Sequence, residues 1–157
     1  MNDVPVPPFD RTAFTVPPSL RAATVGIVTT AGLHHPDQEG WEGGRGREKR
    51  EDGSTSPFWR ADESFRILDG ARRDLVLAQW SPNFDRSGFA LDVNVVFPID
   101  RLQEMAKEGA IGAVASRHAS FVGAQNATLS TVRHDSGPAA AKVLRDAGAD
   151  VVLLTPV

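Results

Sequence analysis

The fold is decided by the stretch at residues 98–115, which reads PIDRLQEMAKEGAIGAVA. Proline suits the first turn of a helix, where its missing N–H does no harm, and apolar residues then recur at helical spacing. Asp100 lies early in this helix and Lys107 late, as the helix dipole favours. Gly109 is a typical C-terminal cap, and the small apolar run after it predicts a buried strand at residues 110–115.

The same helix–strand order returns at the end of the sequence. A second helix is predicted to begin near Ser136 or Pro138 and to end at Gly148, and an apolar strand follows at residues 151–154. Further strands are predicted at residues 24–30, 64–68, 74–80 and 93–97. Continuous apolar strands joined by short helices are typical of a parallel sheet that is covered on both faces. We therefore predict an α/β fold, an open three-layer sandwich with a mainly parallel sheet.

The length of 157 residues suits one domain. Residues 1–20 hold five prolines and are predicted to form an extended arm, and residues 21–157 to form a single α/β domain. Within it, residues 36–57 are predicted to be a disordered insertion, because ten of these 22 positions are charged and five are glycine. No helix pattern follows the last strand to cover it, so we expect the domain to be incomplete at its C-terminus.

The composition excludes several classes of function. Seventeen basic and twenty acidic residues give a net charge of −3, which argues against general nucleic-acid binding because phosphate affinity needs a basic surface. The sequence has no cysteine, which excludes disulfides, cysteine-bound zinc and thiol catalysis within these residues. The longest apolar run, at residues 22–33, is too short for a membrane span, which needs about twenty residues. With no signal-peptide pattern, we predict a soluble, cytoplasmic protein with no membrane partner.

Six segments of the sequence, in order, carry a resemblance to a known family. They are residues 29–34 (TTAGLH), 83–89 (NFDRSGF), 92–102 (DVNVVFPIDRL), 108–112 (EGAIG), 118–123 (HASFVG) and 152–157 (VLLTPV). Together they resemble the selenoprotein B subunits of the glycine, sarcosine, betaine and D-proline reductases. The resemblance runs from about residue 24 to the end of the sequence.

The resemblance implies a redox nucleophile that these residues do not include. In the family, the strand resembling residues 153–157 leads into a motif of selenocysteine or cysteine, proline, one further residue and cysteine. The nucleophile would then follow Val157, at a UGA codon read as a stop, and the chain itself would hold no cofactor. A true stop, giving a gene fragment without function, is the alternative.

The same resemblance implies an activity and its partners. The activity is reductive cleavage of a C–N bond in an amino acid or a derivative. The implied partners are other reductase subunits, a thiol electron donor and a small amino-acid-like substrate, with a homo-oligomer left open. A non-catalytic binding or assembly subunit is the other class of function that fits the sequence.

One candidate catalytic residue is present. His118 follows the predicted strand at residues 110–115, in a loop at the carboxyl end of that strand, where open parallel sheets place their ligands. Such a histidine can orient a substrate or transfer a proton. A loop histidine bonded to the main chain is the alternative.

The candidate substrate-binding residues lie in two loops. Arg86 can hold a substrate carboxylate in a bidentate pair, with Asn83 and Asp85 beside it, although an Asx-turn with an internal ion pair fits equally well. Thr30 and Gly32 resemble a strand-end turn that approaches a ligand with its main chain. We predict no metal site, because the neighbouring pair at residues 34–35 points its two imidazoles apart and no carboxylate spacing completes a set of ligands.

Overall fold

The computed structural model describes residues 16–41, 44–49, 55–78, 87–125 and 128–157, with residues 44–49 and 55–60 described by their main chain only. The strands are β1 (Thr24–Thr29), β2 (Leu33–His34), β3 (Gly44–Lys49), β4 (Thr55–Arg60), β5 (Arg66–Asp69), β6 (Val76–Leu77), β7 (Ala113–Val114), β8 (Arg117–Ser120) and β9 (Val151–Thr155). The α-helices are α1 (Ser87–Leu91), α2 (Ile99–Lys107) and α3 (Gly137–Asp146). A 3₁₀ turn at Val93–Val95 precedes α2, and a π turn at Val132–Ser136 leads into α3.

Strand β1 is the centre of a five-stranded sheet. One edge of β1 pairs in parallel with β9 along its length, from Val25 opposite Val151 to Thr29 opposite Thr155. The other edge pairs in parallel with β7 near its start and with β8 near its end. Strand β5 pairs with β8 in the antiparallel direction and completes the sheet. The predicted mainly parallel sheet is therefore confirmed.

One layer of helix packs on each face of this sheet. On the first face, Val25 and Ile27 of β1 share a buried cluster with Ile99 and Leu102 of α2. On the second face, Ala140 of α3 packs in a smaller apolar cluster against β8, since successive residues of a strand point to opposite faces. The predicted three-layer α/β sandwich is confirmed.

The helix ends follow the predicted caps. Both Gly109, after α2, and Gly148, after α3, have left-handed main-chain angles, with φ of +72° and +81°. Glycine adopts this conformation without a Cβ penalty, so it ends each helix cleanly before the next strand. Helix α2 begins at Ile99, directly after Pro98, close to the predicted start.

Two local predictions are wrong. Residues 93–97 do not form a strand, because the Asp92 side chain accepts a hydrogen bond from the Asn94 N–H (2.9 Å) and closes a 3₁₀ turn ahead of Pro98. The loop predicted around His118 is strand β8, which the polar character of its residues concealed. Its main chain finds partners on both sides, in β1 and β5, so pairing outweighs the weak strand preference of the side chains.

The predicted insertion at residues 36–57 also contains regular structure. Residues 44–49 of it form β3, which pairs with β4 in an antiparallel hairpin from Gly44 opposite Arg60 to Lys49 opposite Thr55. Hairpin hydrogen bonds join two main chains and need no apolar side chains, so composition alone did not reveal them. Of the predicted arm at residues 1–20, residues 1–15 lie outside the described residues. Across the described part of the chain, no helix is long and apolar enough to cross a membrane.

Candidate functional site at the carboxyl edge of the sheet

Three parallel strands end together at one edge of the sheet. Thr29 of β1 lies opposite Ser120 of β8 on one side and opposite Thr155 of β9 on the other. The segments that follow these strands therefore leave the sheet side by side. This is the edge at which open α/β sheets bind their ligands.

Two threonine hydroxyls at this edge bind the same main-chain oxygen. The Oγ1 atoms of Thr29 and Thr155 both donate to the main-chain oxygen of Val96, at 2.8 and 3.0 Å. The Thr29 hydroxyl also accepts a hydrogen bond from the N–H of Ala31 (3.2 Å). The ends of β1 and β9 are thus tied to the turn that precedes α2.

Thr30, predicted to bind substrate, contacts the segment after β9. Its Oγ1 accepts a hydrogen bond from the N–H of Val157 (2.7 Å) and donates to the main-chain oxygen of the same residue (3.3 Å). Its own N–H donates to the main-chain oxygen of Thr155 (3.2 Å). The structure therefore brings Thr30 together with the end of the last strand.

Gly32 lies in the turn after β1 and contacts its own chain. Its φ is +65°, its N–H donates to the oxygen of Phe121 (2.8 Å), and its oxygen accepts from the N–H of Ala78 (2.9 Å). A Cβ here would lie 3.2 Å from the Val122 side chain. Both main-chain polar groups of Gly32 are thus paired within the protein.

His118 lies inside the core and away from the loops. It is fully buried, its Nδ1 accepts a hydrogen bond from the N–H of Ile27 (3.0 Å), and its ring meets that of Phe97 edge to face at 5.3 Å. The ladder between β1 and its neighbour is interrupted between β7 and β8, which leaves the Ile27 N–H without a strand partner. The imidazole fills that gap. Thr30, just after the end of β1, lies three residues, about 10 Å, beyond Ile27.

The pKa of His118 is lowered to about 4, chiefly because burial would leave the charged ring without contact with water. The nearby positive charge of Arg73 contributes to the same shift. The ring is therefore neutral at pH 7. Since Nδ1 accepts from Ile27, the proton sits on Nε2, which faces Gly70 on the side of the Ala115 main-chain oxygen. The geometry favours a role in joining the strands, and the predicted proton transfer stays a prediction.

The remaining predicted residues divide into two groups. Asn83, Asp85 and Arg86 lie outside the described residues, so the structure does not place the predicted carboxylate-binding loop. His35 is buried and structural, since its Nε2 accepts from the N–H of Asp69 (3.0 Å). Among the residues that the structure describes, no three His, Asp or Glu side chains gather as metal ligands.

An apolar groove runs beside α3 on the second face of the sheet. Its volume is about 940 Å³, and its walls include Val28 of β1, Val152 and Leu154 of β9, and Leu144 of α3. Leu154 is 68% exposed, and Leu153 on the opposite face is exposed as well. Within the described residues β9 pairs only with β1, so it is an edge strand with apolar side chains on both faces.

We expect Leu154→Lys to reduce self-association of the chain, because a charge on an exposed apolar edge opposes strand-to-strand pairing. The dissociation constant of any dimer, measured by sedimentation, should rise at least about tenfold, while the melting temperature stays within a few degrees. Leu91→Lys is the matched control, since Leu91 is 90% exposed and lies outside β9. Equal association of both variants and the parent would contradict this expectation.

Sequence reasoning missed several residues that build the site. Thr29 and Ser120 are buried and Thr155 is half-buried, and these hydroxyl residues stand at the ends of the three strands. The Ser120 hydroxyl accepts a hydrogen bond from the N–H of Leu33 (2.8 Å) and fixes the loop after β1. The sequence signal for these residues was a hydroxyl side chain at the end of an apolar strand. Such side chains are also common in ordinary surface turns, so the signal is weak.

The fold and this edge define the class of protein: an α/β protein whose polar groups converge where three parallel strands end. The family model for glycine/sarcosine/betaine reductase selenoprotein B matches residues 78–157, just over half of the chain, and the chain belongs to this family. The D-proline reductase subunit gamma of Acetoanaerobium sticklandii is 30% identical over 138 residues, which cover 87% of this chain. The match covers 49% of that relative, so the chain spans about half its length. No solved structure matches the chain.

Proposed function

We propose that the chain is the sheet-forming part of a reductase subunit that cleaves a C–N bond of an amino acid or a derivative. One observation carries this proposal: the part that matches the family model includes β8 and β9, which end beside β1 at the edge where polar groups converge. The named activity of the relative, D-proline reductase, fits a substrate of this chemistry.

The proposed chemistry needs a selenol or thiol, and none of the 157 residues is a cysteine. We place this group directly after the position of Val157, where the family resemblance puts a selenocysteine or cysteine. A group at the end of a strand that enters a helix has its pKa lowered by the helix dipole, which favours the reactive anion. The selenol or thiol would attack the substrate and carry the redox change, while the residues of this chain would position it.

Partners follow from the same reasoning. The relative is a subunit by name, and we propose that this chain likewise works with other reductase subunits. Electrons would come from a small dithiol, which is oxidised to a disulfide as the C–N bond is reduced. Such a donor persists where thiols are kept reduced, so the proposed location of the enzyme is the cytoplasm.

A second candidate function, a non-catalytic binding or assembly subunit, is favoured by one observation. The groove beside α3 and the exposed side chains of β9 present apolar surface of the kind that protein partners cover. On this alternative the strand ends serve only to shape a docking surface.

The DNA after the codon for Val157 distinguishes the two functions. We expect an in-frame UGA followed by codons for proline, one residue and cysteine, and incorporation of radioactive selenium into a longer product. That product, combined with its partner subunits and supplied with a dithiol, should cleave D-proline, glycine, sarcosine or betaine. A UAA or UAG codon with no redox motif after it would overturn the reductase proposal and favour the assembly subunit.

A further inference from the structure

Both main-chain polar groups of Val157, its N–H and its oxygen, are hydrogen-bonded to one side chain. Its N–H donates to Thr30 Oγ1 (2.7 Å), and its main-chain oxygen accepts from the same hydroxyl (3.3 Å). A single side chain that binds both polar groups of one residue restrains the rotation of that residue as well as its distance. Thr30 therefore fixes the direction in which the chain leaves β9.

Gly123 leaves the space that this arrangement needs. A Cβ at position 123 would lie 2.6 Å from the main-chain oxygen of Val157, closer than real Cβ contacts allow. The φ of Gly123 is not positive, so its backbone conformation does not require glycine. The lack of room for a Cβ is the reason that glycine fits here. Any side chain at 123 would push Val157 out of its bond to Thr30.

The side chain of Val157 provides a third anchor. It packs against the main apolar cluster, which includes Phe97 and Leu33. The residues that follow a last strand usually fray unless something ties them down. Here the flank of β9 is open at Val152 and Leu154, whereas its end is held at three points.

We propose that Thr30 and Gly123 form a positioning cradle that sets where the chain presents the reductase nucleophile. The proposal rests on the proposed function, which places the nucleophile directly after residue 157. It assigns Thr30 a role in holding the protein's own chain, where the sequence predicted contact with substrate. Both cradle residues act through Val157 and neither needs to touch the substrate.

Amide exchange measured by NMR on the 157-residue chain tests the cradle without any activity assay. In Thr30→Val, which keeps the shape and loses the hydroxyl, the Val157 amide should exchange about tenfold faster. Thr30→Ser should restore protection, and Gly123→Ala should remove it. Thr131→Val is the matched control, because its hydroxyl donates to Glu63 (3.0 Å) away from this edge. The Ile27 amide, inside β1, should be unchanged in every variant.

An unprotected Val157 amide in the parent chain, or equal protection in the parent and Thr30→Val, overturns the cradle. Loss of Ile27 protection in Thr30→Val would also overturn it, because the effect would then be general unfolding. In the longer reductase, Thr30→Val should lower kcat at least about tenfold with KM unchanged, and Thr30→Ser should recover most of it. Failure of the exchange test leaves the reductase proposal standing, whereas failure of the DNA test leaves the exchange result intact.

Discussion

Lowering the pH from 7 to 4 should destabilise the folded chain by about 3 kcal/mol through His118 alone. The ring has a pKa of about 4 in the fold and about 6.5 in the unfolded chain, so the unfolded state takes up the proton first. The stability that the neutral ring provides is fully present above pH 6.5 and is lost as the pH falls towards 4. Protonation of Nδ1 would also break its bond from Ile27.

Urea unfolding of the parent and His118→Gln between pH 7 and pH 4 measures this effect. The variant should be less stable at pH 7 and should show a much flatter dependence on pH in this window. Carboxylates such as Asp74, whose pKa is lowered to about 2 by Arg72, lose their contribution only at lower pH. His134→Gln is the control, since His134 is exposed. Parallel pH profiles for the parent and His118→Gln would rule out the proposed cause.

Removing both hydroxyls that bind Val96 should cost about 3–4 kcal/mol of unfolding free energy, more than the two single changes together. Thr29→Val or Thr155→Val alone leaves the Val96 oxygen with one donor, at a cost of about 1 kcal/mol each. The double variant leaves that oxygen with neither hydroxyl. A buried acceptor without a partner costs a further 1–2 kcal/mol or so.

A double-mutant cycle from chemical unfolding measures the coupling. Thr24→Val, at the start of the same strand, is the matched control and should show no coupling with Thr155→Val. Additive effects of the Thr29 and Thr155 changes would mean that the two hydroxyls do not share the Val96 oxygen.

The elements predicted well are those with a repeating apolar pattern and a local end signal. Helix α2 begins after Pro98 and is capped at Gly109, and α3 is capped at Gly148, because these signals act within a few residues. Strands β1 and β9 each carry four consecutive residues without a polar side chain, 25–28 and 151–154, and such short runs indicate strands. The run in β1 is mostly buried, whereas that in β9 is largely exposed, so the pattern predicted the strand but not its burial. Both strands appear at the predicted positions.

The elements predicted poorly depend on partners far away in the sequence. Strand β8 is a strand because β1 and β5 lie on either side of it, and its residues His118 and Ser120 gave no apolar alternation. The same holds for the hairpin of β3 and β4, whose strands lie in a charged stretch. Main-chain pairing is a property of two segments, and one segment does not reveal its partner.

The sequence by itself determined the class of fold, the positions of its clearest helices and strands, and the family, because apolar spacing, caps and short motifs are local. Tertiary structure alone decided what the polar residues do. It placed His118 in a gap of the β1 ladder and bound Thr30 to a residue 127 positions away. Hydrogen bonds between distant residues form only after the chain has folded, so the role of each polar group was settled by its neighbours in space.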